Sequence, residues 1–130
     1  MLLIKKELNK DIISKEVLGE VLGLKIWKIV GCEFNMLRYC IYPNKGDDPS
    51  EYTFPININE LAHKCIIYAW DKMYDISPSV MGTQIVCLTT GFELHIIQRE
   101  TILDPKLFDP RFTFKALQWL FDNEKIKIKT

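Results

Sequence analysis

A chain of 130 residues, 48% hydrophobic and 26% charged, has the length of one domain and a composition near the globular average, which weighs against wholesale disorder and against a membrane protein. Its 17 Lys and Arg balance 17 Asp and Glu, so no global positive field gathers nucleic acid or holds an anionic membrane, and little self-repulsion opposes homo-oligomers. The start, Met1-Leu2-Leu3-Ile4-Lys5-Lys6-Glu7, carries only a short apolar run and no later stretch reaches membrane-spanning length, so a cytoplasmic protein is expected.

The first helix is expected from about Asp11 to Leu22, where Ile12, Ile13, Val17, Leu18, Val21 and Leu22 form one stripe at helical spacing and Gly23 marks the exit. Gly19 inside that stripe costs a helix about 1 kcal/mol relative to Ala, which points to another backbone packed close against it. Lys25 to Val30 and Met36 to Tyr42, rich in β-branched and aromatic residues, read as an antiparallel pair of strands closed by Pro43. Asn44-Lys45-Gly46-Asp47-Asp48-Pro49-Ser50 is the densest turn signal, an exposed acidic loop.

Asn57 caps the second helix, with Glu60 three positions on as in a capping box. Its buried face comprises Leu61, Ala62, Cys65, Ile66, Ala69, Trp70 and Met73, and its end is expected near Asp75, ahead of Ser77-Pro78. Gln84 to Gln98 forms a tight hairpin around Thr90-Gly91. Asp104 to Pro110 reads as a loop, and Phe112 to Asp122 as a third helix with Phe114, Leu117, Leu120 and Phe121 inward. Lys125-Ile126-Lys127-Ile128-Lys129 then alternates with period two, as a terminal edge strand whose lysines oppose edge-to-edge association.

No constellation in the chain combines a nucleophile with its base, metal ligands at working spacing, or a glycine-rich phosphate loop. Cys32, Cys40, Cys65 and Cys87 are widely spaced in apolar or aromatic company, which favours buried free thiols over disulfides or a metal site. His63 and His95 would need a neighbouring carboxylate to do acid and base work, and nothing in the spacing brings them together. Asp71 and Asp75, four apart near the expected C-terminal end of the second helix, would sit unfavourably in its dipole, so they read as a solvated face or as the match for a partner's basic surface. Asp47, Asp48 and Glu51 make the loop negative without the EF-hand pattern. Trp27 and Tyr39, both on strands, form the expected aromatic patch if one sheet face is left uncovered, while Trp70 and Trp119 are expected to be half-buried between helix and sheet.

The stretch Lys15-Glu16-Val17-Leu18-Gly19-Glu20-Val21-Leu22-Gly23-Leu24-Lys25-Ile26-Trp27 resembles the opening of small phage and prophage proteins known as the phage ABA sandwich domain, an amphipathic helix ending in Gly before a Trp-containing strand. Asn57 to Asp75 resembles that family's central helix and Phe112 to Asp122 its closing helix. The resemblance implies a small phage-type accessory protein, folded as helices on a β-sheet and acting by binding, with no catalytic residues to carry over.

The sequence thus leads to a single α+β domain over residues 1–130, a mostly antiparallel sheet of four or five strands with three helices packed on it. The expected function is non-enzymatic: an adaptor or inhibitor that binds a host protein, anti-defence proteins included, without cofactor or metal and without membrane or nucleic-acid partners. Trp27, Tyr39, Asp47, Asp48, Asp71 and Asp75 are the candidate binding residues. The alternatives are a homodimeric sponge holding a nucleotide-like small molecule between aromatics, for which Arg38, Arg99 and Arg111 give phosphate little to bind, and an enzyme built on His63 or His95.

Overall fold

The computed structural model describes residues 13–33, 35–44, 46, 48–49, 51–79, 82–98 and 110–128. Residues 11–12 of the expected first helix and residues 104–109 of the expected loop lie outside them. Among the described residues the protein is α+β, with three helices and two three-stranded antiparallel sheets. The chain forms two compact units, one reaching to Leu61 and including the last residues from Lys127, the other covering Ala62–Ile126.

In the first unit, helix α1 (Lys15–Leu22) starts where the Ser14 hydroxyl accepts from the Val17 amide at 3.2 Å. It ends at Gly23, whose φ of 71° lets the Leu24 amide turn back to the Gly19 carbonyl at 3.0 Å. The absence of a side chain at Gly19 is what admits this approach, since a Cβ there would lie 2.5 Å from the Leu24 carbonyl oxygen. The backbone that the sequence called for at Gly19 is therefore the helix's own exit.

Strands β1 (Ile26–Glu33), β2 (Met36–Ile41) and β3 (Thr53–Asn57) follow as a meander in that order, and α1 packs on β1. Leu37 stands opposite Ile56 and Tyr39 opposite Phe54, so the apolar residues of β2 and β3 share one face. Two register shifts between β1 and β2 absorb extra residues and carry β1 through to Glu33, past the Val30 at which the sequence pattern ends that strand.

Helix α2 (Ile58–Asp71) opens on Asn57, whose Oδ1 accepts from the amides of Asn59 at 2.9 Å and Glu60 at 3.2 Å. Its first turn belongs to the first unit and the remainder to the second, so the chain passes from one unit to the other inside a helix. Leu61, Ala62, Cys65 and Ala69 are fully buried, as the periodicity predicted. The helix stops at Asp71, four residues earlier than expected, because Met73 takes a left-handed φ of 73° and donates its amide to the Trp70 carbonyl at 2.9 Å.

The second unit continues with β4 (Tyr74–Ser79), β5 (Gly82–Cys87) and β6 (Glu93–Gln98), again a meander in chain order. Helix α3 (Pro110–Asp122) packs on all three strands and buries Phe114, Leu117 and Leu120. Phe121, expected inward, is half-buried and stacks on Tyr68 of α2 with ring centroids 6.0 Å apart. Both units therefore run helix, left-handed exit and three-stranded meander in the same order.

Two expectations about the sheets are corrected. The strands form two sheets of three in place of one sheet of four or five, because each meander closes on its own sequence neighbours. The Lys125–Lys129 segment adds no strand among its described residues: Glu124 turns left-handed at φ 58°, the Lys125 amide returns to the Leu120 carbonyl at 2.8 Å, and Ile126 is buried as the apolar stop of α3.

Candidate functional site

The segment between β2 and β3 lines a shallow depression of about 660 Å³ in the first unit, formed by Pro43, Asp48, Pro49, Glu51 and Tyr52. Two prolines restrict the backbone on its walls, and Tyr52 exposes 79% of its surface beside the carboxylates of Asp48 and Glu51. Phe54, on β3 two residues after Tyr52 and 39% exposed, extends the aromatic surface; its ring stacks on Tyr39 with centroids 5.9 Å apart. An aromatic face next to carboxylates suits a cation, which gains from the ring quadrupole and from both negative charges.

The candidate residues from the sequence divide around this feature. Asp48 lines it, and Asp47 lies outside the described residues. Tyr39 is 8% exposed and so supports the patch from behind where it was expected to form the surface; burial also pushes its phenol above the ordinary value. Trp27 is half-buried on β1 with the Lys28 ammonium 4.5 Å from its ring centroid, and Lys25 lies 5.0 Å from the Tyr42 ring in the same way. Asp71 and Asp75 do not share a helix face: Asp71 closes α2, whereas Asp75 sits on β4 and accepts from the Ser77 hydroxyl at 2.7 Å. Tyr52, just ahead of β3, and Phe54, within it, take the place given to Tyr39, and the neighbouring Pro55 obscured that strand in the sequence.

In the second unit, His63 is exposed on α2, and His95 is exposed on β6, its imidazole stacked on the Trp119 indole at 4.7 Å with the planes 4° apart. Among the described residues no group of three or more His, Cys, Asp and Glu could hold a metal ion, and no helix is long and apolar enough to cross a membrane. Cys40 and Cys65 are buried free thiols, and burial raises Cys65 far above its ordinary pKa. The side chain of Cys32 lies outside the described residues. Cys87 departs from the expected burial: it ends β5 half-exposed, with Sγ 3.1 Å from the Thr89 hydroxyl.

No family model, curated protein or solved structure matches the chain.

The Thr113 hydroxyl on α3 is buried and has no hydrogen-bond partner, a cost of about 1–3 kcal/mol that the surrounding packing must offset.

Proposed function

We propose that this chain is a non-enzymatic, cytoplasmic accessory protein of phage or prophage type that binds a host protein as an adaptor or inhibitor, an anti-defence role included. The partner it suits is a protein segment presenting Lys or Arg side chains, received by the depression in the first unit. One observation carries this reading: Tyr52, Asp48 and Glu51 converge on one proline-walled surface, with Phe54 beside it. Exposed aromatics at the centre of such a patch are the residues most apt to dominate binding energy, and acidic neighbours speed the encounter with a basic partner. The phage context rests on the resemblance of the α1–β1 and α2 segments.

The test is affinity capture from host extract with the tagged parent protein, Tyr52→Ala and the double change Asp48→Lys, Glu51→Lys. A host protein retained by the parent should be lost or weakened about ten-fold or more with Tyr52→Ala, consistent with a truncated anchor aromatic. The charge reversal should slow association, and rising salt should weaken parental binding. Equal capture by all three proteins would remove the depression from consideration as the contact.

A further inference from the structure

The outer face of α2 carries a second surface, independent of the depression. At 3.6 residues per turn, Leu61, Ala62, Cys65 and Ala69 define the buried side of the helix, and Ile67 falls diametrically opposite them. Ile67 is 49% exposed and Trp70 50%, two large apolar side chains where a surface helix ordinarily carries polar residues. Trp70 was expected half-buried between helix and sheet, and its place on this face is what makes the apolar patch substantial. His63 and Trp70 flank Ile67 on one side; Lys64 and Asp71 flank it on the other, all four exposed.

We infer that this face joins two copies of the chain, their α2 helices antiparallel about a two-fold axis at Ile67. Such an axis reverses the direction of the helix while keeping each flank facing its own copy. Lys64, three residues before Ile67, then meets the partner's Asp71, four residues after it, and the reciprocal pair forms at the other end. On the opposite flank the partner's His63 lies against Trp70, and Ile67 meets the partner's Ile67 at the centre. A uniformly basic partner would be opposed by Lys64 and a uniformly acidic one by Asp71. A surface bearing both charges in reversed order satisfies the two, and this helix is itself such a surface. The zero net charge removes the long-range repulsion that would otherwise keep two copies apart. A single helix pair falls below the roughly 1,200 Å² of ordinary stable interfaces, so the dimer is a weak one that forms and dissociates with concentration.

Sedimentation velocity on the full chain, from micromolar to near-millimolar concentration, tests the pairing. The parent should pass from monomer to dimer. Lys64→Asp and Asp71→Lys each place like charges at both contacts and should weaken the dimer about ten-fold or more, with unchanged thermal unfolding. Mixing the two variants restores opposite charges at every contact, so a heterodimer should form at the parental affinity, and the double variant should likewise recover. Ile67→Asp, at a half-exposed position, should leave the protein folded and monomeric. A parent that stays monomeric throughout, or single reversals that dimerise as the parent does, would overturn the proposal. These variants leave Tyr52, Asp48 and Glu51 untouched, so this pairing and capture of a host protein fail or succeed separately.

Discussion

At the turn between β5 and β6, hydrogen bonds from the Thr89 and Thr90 side chains and amides stabilise the Cys87 thiolate and lower its pKa from 9.0 to about 7. Those donors favour the charged form, so reactivity towards iodoacetamide should reach half its maximum near neutral pH and not two units higher. Thr89→Val should move that midpoint upward. Cys40 and Cys65 should react only after unfolding, and alkylation followed by mass measurement distinguishes them. The sequence placed a thiol beside a Thr-Thr-Gly turn but could not show whether Sγ pointed into the core or onto the hydroxyls. Two glycines give a second measurement. Ala in place of Gly19 gains about 1 kcal/mol in helix propensity, yet its Cβ would meet the Leu24 carbonyl, a clash worth about 1–3 kcal/mol, so Gly19→Ala should destabilise. Gly82→Ala adds a left-handed φ of 144° to overlap with the Ile97 carbonyl and should cost about 3 kcal/mol or more by chemical denaturation.

At the level of elements, the helices were readable because apolar periodicity and caps agree: the Asn57 cap, the Gly23 exit and the buried residues of α3 stand where the pattern put them. The strands β3 and β4 were not, and each contains a proline, Pro55 and Pro78. Both strands are at the edge of their sheets, where a missing amide donor costs little, so a residue that reads as a breaker is tolerated there. The same limitation misplaced the end of α2, since a left-handed Met73 leaves no glycine to mark the stop. Half-exposed Trp70 also alters an energetic expectation. Truncation to Ala should cost about 1–2 kcal/mol, against about 2–5 kcal/mol for Leu117→Ala in the fully buried face of α3, a ranking that paired thermal melts would establish.

For the whole molecule, the α+β class follows from alternating helical and strand-like segments, but the number of sheets depends on which strands find one another, and no local pattern records that. Each sheet has one strand bonded on both sides, β2 in the first and β5 in the second. Native-state hydrogen exchange should therefore be slowest in β2 and β5 and faster in β1, β3, β4 and β6, whose outer amides have no ladder partner among the described residues. Equal protection across all six strands would contradict the two-sheet arrangement. The surface that matters for binding was only partly readable: Asp48 was identified from loop composition, whereas the burial of Tyr39 depends on its pairing with Phe54 across β2 and β3.

The passage of the chain between its units inside α2 bears on how the protein can be divided. Boundaries between compact parts usually fall in exposed linkers, which is where proteases cut and where evolution trades modules. Here a cut between Leu61 and Ala62 would leave one helical turn on one side and a ten-residue remnant on the other, both shorter than the roughly 12–15 residues an isolated helix needs to persist in water. Neither half is therefore a separable module, and limited proteolysis of the native protein should spare this boundary even though it is the place where the fold changes from one sheet to the next.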